Sequence, residues 1–195
     1  MYSPSAPLRV ATLLCLLLAA PAFAAWELDD SRSTLRFMSV KNGSTGEVHH
    51  FSSLSGELSD DGTAQLRIPL DSVETLIPIR NERMREMLFE TMRFPAATLS
   101  ARVPASLLER DAGDSTVADL EITVQLHGAS KPYTASVLVT GLADGSVQVV
   151  LREPLVVNAA DFGLVGGIEA LREVAGLASI GTAVPVTAHL VFAPQ

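Results

Sequence analysis

Apolar and polar positions alternate with a period of two along most of this chain. From Ser33 to Val40, Leu35 and Phe37 fall on one face and Thr34, Arg36 and Met38 on the other, as expected for a strand buried on one side. Lys41 to Ser44 reads as a turn, Glu47 to Ser53 as a second strand, and Leu54 to Ser59 as its continuation or a third. Asp60-Asp61-Gly62 predicts a hairpin, because glycine accepts the positive φ that such turns require. Beyond it Ala64, Leu66, Ile68 and Leu70 alternate with polar residues and with Pro69, which lacks a ladder donor and belongs at a strand end or edge. Ala97 to Val103 is the next strand. Leu120, Ile122, Val124 and Leu126 alternate up to a turn over His127 to Pro132, and Tyr133, Ala135, Val137 and Val139 alternate on return. Val147, Val149 and Leu151 follow Asp144-Gly145, and Val184 to Phe192 closes the series.

The rhythm breaks in two places. Between Arg80 and Pro95 the apolar residues Met84, Met87, Leu88 and Met92 recur at helical spacing, with arginines and glutamates between them. An amphipathic helix is predicted over 82–93, with Asn81 as N-cap and Pro95 preventing its continuation. A second, short helix is predicted over 168–175, ending at Gly176. About eight strands at roughly ten-residue spacing, joined by short turns, predict an all-β antiparallel fold. A barrel fits better than a sandwich: the cysteine-tryptophan framework of an immunoglobulin-type sandwich is missing, and a helix between strands can close a barrel end.

The first residues have a different pattern. One basic residue, Arg9, precedes an apolar run from Val10 to Ala20, then Pro21 and Ala22-Phe23-Ala24. This is the pattern of a secretory signal peptide, residues 1–24, with the mature chain expected to start at Ala25. Leu14 stands before Cys15 where a lipoprotein signal needs a small residue, so neither a lipid anchor nor a permanent membrane anchor is expected. The rest, 25–195, reads as one domain, large enough to bury a core without cross-links. The sequence has one cysteine, Cys15, within the expected signal peptide, so the mature chain is expected to carry no thiol. The formal net charge of −8 and the lack of a basic tract argue against nucleic-acid binding.

Catalytic motifs are sparse: no Gly-x-Ser-x-Gly, His-Glu-x-x-His, Walker loop or dinucleotide fingerprint occurs. His49 and His50 are neighbours on a predicted strand and point to opposite faces. Glu47 and His49 share a face, and nothing in the spacing brings His127 or His189 to them, so no metal and no cofactor is expected. Asp161-Phe162-Gly163 lacks every other kinase element and is read as structural. Arg80, Arg83, Arg85 and Arg93 either form a solvated helix face or reach a polar head group.

Several short motifs, in order, carry a resemblance. Trp26-Glu27-Leu28-Asp29, Ser33 to Phe37, Phe51 to Gly56, Thr75, Arg80 through Leu88-Phe89 to Phe94-Pro95, Leu126-His127-Gly128 with Lys131-Pro132, and Asp161-Phe162-Gly163 together resemble the YceI-like family across nearly the whole mature chain. Two departures stand out: Arg32 where a histidine commonly precedes the serine, and a helix richer in arginine. The resemblance implies a lipocalin-like barrel, secreted to the bacterial periplasm, with a non-catalytic carrier role for a polyisoprenoid or another long-chain or fatty lipid. Candidate wall positions are Leu35, Phe37, Leu120, Ile122, Val137 and Val149, with Met84, Met87 and Leu88 at the helix-covered end and Arg80 and Arg83 near a head group. A homodimer is compatible with this reading. Two other functions remain open from sequence: an enzyme or metal-dependent protein using histidines at the barrel mouth, and a stress-related interaction module with a filled barrel.

Overall fold

The computed structural model describes residues 24–108 and 110–195. The expected signal peptide, Cys15 included, lies outside the described residues except for Ala24. The strands, in chain order, are β1 (Ala24–Leu28), β2 (Thr34–Lys41), β3 (Thr45–Phe51), β4 (Ser55–Ser59), β5 (Thr63–Pro69), β6 (Val73–Glu74), β7 (Ala96–Arg102), β8 (Ser115–Leu126), β9 (Ala129–Gly141), β10 (Val147–Leu151), β11 (Leu155–Asn158) and β12 (Ala183–Pro194). Hydrogen-bonded neighbours run β1-β4-β5-β7-β8-β9-β10-β12, and β12 pairs back with β1, so the sheet closes into an antiparallel barrel. Closure leaves this ring without an exposed edge.

The remaining strands extend that ring. β2 follows β1 and pairs with β12 and β3, β6 follows β5 and pairs with β3, and β11 follows β10 and pairs with β12. The barrel therefore has eight long staves, several of them bent. Three bends lie side by side. The first stave turns through Asp30–Arg32, the second through Ser52–Leu54 and the third through Leu70–Ser72, after Pro69. They are stitched together: Leu54 N donates to Asp30 Oδ1 at 2.8 Å, and Ser52 N donates to the Ser72 carbonyl at 2.9 Å. Their backbone donors are thus satisfied where the ladder breaks.

The hairpins follow the turn chemistry. Gly62 has φ of 82° in the β4–β5 turn, as the Asp-Asp-Gly signal requires. The β8–β9 turn is tighter than expected, only His127 and Gly128, because both adopt positive φ and β9 resumes at Ala129.

The first helix differs most from expectation. It is α-helical over Pro78–Arg83 (α1) and continues as a π turn over Met84–Leu88, rather than running over 82–93. Pro78 sits at the first helical position, where its missing N–H costs nothing. In the π turn Phe89 N donates to the Met84 carbonyl at 2.9 Å, and both of these side chains are buried, a five-residue spacing that α-helical periodicity does not produce. Glu90 then takes φ of 48° and ends the helix, leaving Met92 fully exposed instead of on the buried face. Asn81 is not an N-cap. It is buried inside α1, where Oδ1 accepts from Thr75 N at 2.9 Å and Thr75 Oγ1 at 2.5 Å.

The second helix, α2 (Val165–Val174), begins three residues before the predicted 168 and ends where expected, with Gly176 at φ of 64°. Its early start includes Gly166 and Gly167. A Cβ on Gly167 would lie 2.6 Å from the Met87 carbonyl oxygen, so glycine is what allows α2 to rest directly on the π turn. The two helical segments together cover one barrel end. The 103–108 segment, with Leu107 and Leu108 buried, lies at the other.

Candidate functional site

Inward-facing side chains leave the barrel partly hollow. The inner cavity, about 140 Å³, has only apolar surface, supplied by Leu35, Leu120, Ile122, Val137 and Val149 among others. A second cavity of about 150 Å³, also wholly apolar, includes Phe37, Phe51, Leu88 and Leu126 in its wall. The two share Leu35, Leu99, Leu155 and Val186. A third cavity of about 470 Å³ lies between the helices and β2–β3, and shares Phe37, Leu88, Ile168 and Val184 with the second. Shared walls set the three cavities side by side, in order from the barrel interior to the helix-covered mouth.

The mouth is where polar groups enter. Ser39, Lys41, Glu47 and His49 contribute from β2 and β3, and Arg80 and Arg83 from α1. Glu47 accepts from Lys41 Nζ at 3.0 Å and from Arg80 Nη1 at 2.9 Å, while Arg80 Nη2 donates to the Thr75 carbonyl at 2.6 Å. Burial alone would raise the Glu47 carboxyl, but the Lys41 hydrogen bond and the charges of Arg80 and Lys41 outweigh it and hold the group below its usual value. His49 is only 3% exposed. Burial, and next to it the charge of Arg80, pushes this imidazole down and favours its neutral form. Its Nε2 lies 3.0 Å from Ser39 Oγ, its ring is 5.2 Å from that of Phe37, and its Nδ1 and Arg80 Nε are buried without a partner.

Most of the wall residues named from the sequence meet here. Leu35, Leu120, Ile122, Val137 and Val149 line the inner cavity, Phe37 and Leu88 join the middle and outer ones, and Met84, Arg80 and Arg83 line the mouth. Met87 lines none of the three. It is half-buried, and its carbonyl side faces Gly167 of α2. Sequence reading missed Phe51, Leu99, Leu155, Val186 and Ile168 as lining residues. The alternation of Val184, Val186, Ala188 and Leu190 was a usable signal for β12; four-residue β11 offered none.

The histidines are dispersed. His127 is in the β8–β9 turn, its Nδ1 3.2 Å from the Phe162 carbonyl and its Nε2 3.2 Å from Glu90 Oε1, and His189 pairs with Gln148 at 2.7 Å. Among the described residues no three His, Cys, Asp or Glu side chains are grouped to hold a metal ion. The His127 contacts join the Asp161-Phe162-Gly163 turn to the segment after the π turn, with Phe162 almost completely buried, so that motif anchors the end of the barrel.

An eight-stave barrel with an apolar interior and a polar, helix-covered mouth agrees with a family profile, that of the YceI-like domain, which matches residues 26–192. The chain belongs to the YceI-like domain family. A solved structure described as a polyisoprenoid binding domain from Saccharophagus degradans, implicated in plant cell wall breakdown, is 38% identical, with a TM-score of 0.86, and the match covers 89% of this chain and 100% of that one. BcnA from Burkholderia cenocepacia shares the fold at 17% identity and a TM-score of 0.65, over 84% of this chain and 98% of that one. The YCEI protein of Campylobacter jejuni shares it more loosely, at 14% identity and a TM-score of 0.50 over 75% and 84%. Comparison with curated protein sequences gave no match.

Proposed function

We propose that this YceI-like protein is a non-catalytic carrier for a long-chain amphiphilic lipid, a polyisoprenoid first among the candidates. The chain lies along the inner and middle cavities and the polar end stays at the mouth near Arg80 and Arg83. The observation that carries this reading is the gradient across three adjoining cavities: purely apolar walls inside, mixed polar and apolar walls at the mouth. Ligand sites of about 300–1,000 Å³ combine these features. The polyisoprenoid-binding relative at 38% identity supports the choice of ligand class. The periplasm is the proposed location, on the strength of the Arg9, Val10–Ala20 and Ala22-Phe23-Ala24 leader pattern.

Lipids extracted from protein purified from its native compartment, identified by mass spectrometry, test this directly. Stoichiometric recovery of a long isoprenoid or other aliphatic lipid is the expected result. Recovery of protein free of any chain longer than the inner cavities would count against the carrier role.

A further inference from the structure

Bulky apolar side chains are held out of the protein around the tunnel mouth. Leu76 is 85% exposed, and Ile77, Ile79 and Val174 are exposed as well. Ile77 and Ile79 at the start of α1 and Val174 at the end of α2 also line the mouth cavity, so they stand on both sides of its opening. Scattered exposed aliphatics are ordinary; several bordering one opening are not.

The backbone here is built, not loose. Leu76 has φ of 62°, a left-handed conformation that is costly for a residue of this size. Leu76 N donates to Glu74 Oε1, Asn81 Nδ2 donates to the same oxygen at 3.1 Å, and Asn81 Oδ1 holds Thr75 from two donors. Arg80 fastens the Thr75 carbonyl from the other side. A buried polar scaffold thus maintains a strained turn whose outcome is an exposed leucine.

We propose that Leu76, Ile77, Ile79 and Val174 form a bilayer-docking rim, through which the lipid passes between a membrane and the tunnel; this rests on the carrier reading above. The occupant is a lipid surface because the mouth cavity that Ile77, Ile79 and Val174 line adjoins a series of wholly apolar cavities. A long chain crossing free water there would lose the burial that both the bilayer and the tunnel provide. Charge agrees: Lys41, Arg80 and Arg83 line the mouth against one carboxylate, Glu47, in the same cavity wall as Ile77, Ile79 and Val174. With the tips at the headgroup–acyl boundary, these cations lie at the level of the lipid phosphates. The chain as a whole is acidic, with a formal net charge of −8, so attachment depends on apolar insertion and this local cationic lining rather than on long-range attraction.

Leu76 provides a clean test, because it does not line the cavities and because glycine and asparagine both accept its backbone angle. Leu76→Gly and Leu76→Asn should therefore fold with a melting temperature no lower than the parent. The full mature chain and both variants are floated with vesicles of phosphatidylcholine and phosphatidylglycerol, and uptake of geranylgeraniol from such vesicles is followed in time. Titration with detergent-dispersed geranylgeraniol is run in parallel. The parent should float with vesicles and take up the prenol at a rate that rises with vesicle concentration. Both variants should float several-fold less and load several-fold more slowly, with the dispersed titration unchanged. Uptake independent of vesicle concentration, or equal in parent and variants, overturns the docking rim. Self-association abolished by Leu76→Asn, without vesicle binding, assigns the face to a second copy and also overturns it. Failure of the parent in the dispersed titration overturns the carrier reading instead, while flotation still reports on docking.

Discussion

The inner tunnel and its mouth are built on opposite principles. Inside, the walls come mainly from barrel strands, with Leu88, Leu164 and Ile168 joining the middle cavity, and the lining carries no titratable side chain. At the mouth, the walls come from two short helices resting on each other and one edge of β2–β3, and the lining carries Lys41, Glu47, His49, Arg80 and Arg83. Closed ladders make the first region rigid and unselective beyond apolar bulk. The second can change, since helix-to-helix contact and side-chain ion pairs open at lower cost than a barrel ladder. A carrier needs both: one part that holds an aliphatic chain, and another that admits it.

The largest expected effect comes from making the inner region resemble the mouth. Val137 is 4% exposed and lines the innermost cavity. Val137→Asp places an unpartnered carboxylate there and should cost about 3 kcal/mol or more, read by denaturant unfolding, and should abolish lipid binding. A stable, lipid-binding variant would mean that water already reaches the inner walls and that the contrast drawn here is wrong.

Next in size is a lesion confined to the lid. A side chain on Gly167 would meet the Met87 carbonyl oxygen at 2.6 Å and the Leu88 Cα at 2.8 Å. Gly167→Val should push α2 away from the π turn, cost about 1–3 kcal/mol, and speed ligand release in stopped-flow exchange. The β-sheet signal in far-UV circular dichroism should be retained. Loss of that signal would show that lid and barrel form one cooperative unit.

The smallest effect is pH dependence, and its upper phase should belong to the mouth, while the lower phase is shared with Asp29, Asp61, Glu74 and Asp144, whose carboxyls are also held below their usual values by hydrogen bonds. His49 is pushed below its usual value of 6.5 by burial, so the unfolded chain takes up its proton first and stability falls as pH drops from that value toward the folded one. Glu47 is held below its usual 4.5 against the pull of burial, so its contribution is present above that value and is lost as pH falls through the folded one. Stability measured against pH should therefore decline in mild acid and again further down. His49→Gln should remove the upper phase and leave the lower, whereas an unchanged upper phase would place its origin elsewhere.

How legible each region was in the sequence follows from the same contrast. Strand alternation is a local property, so Leu35, Leu120, Ile122, Val137 and Val149 could be assigned to the inner wall before any coordinates. Closure, with β12 pairing both β10 and β1, is long-range and came only indirectly, from strand number, the missing sandwich framework, a helix able to close a barrel end, and the family resemblance. The lid was read less well because helical periodicity was assumed to hold from Arg80 to Arg93. Pro78 as a first helical residue was the missed start signal. The π turn brings Met84 and Phe89 inward together, and the left-handed Glu90 leaves Met92 in solvent. Gly166 and Gly167 look like helix breakers in sequence, and only the contact with Met87 and Leu88 explains why one of them belongs in α2. The polar scaffold around Thr75 and Asn81 had no sequence signal beyond the residues themselves, because its meaning depends on burial.

The central claim is that the cavities form one aliphatic tunnel. Titration of delipidated protein with isoprenoid alcohols and fatty acids of graded chain length tests it most directly. Each buried methylene is worth about 0.8 kcal/mol before association costs, roughly fourfold in affinity. Affinity should climb steeply with chain length, level off once the inner and middle cavities are filled, and vary less with the head group. An affinity that does not depend on chain length would contradict the tunnel.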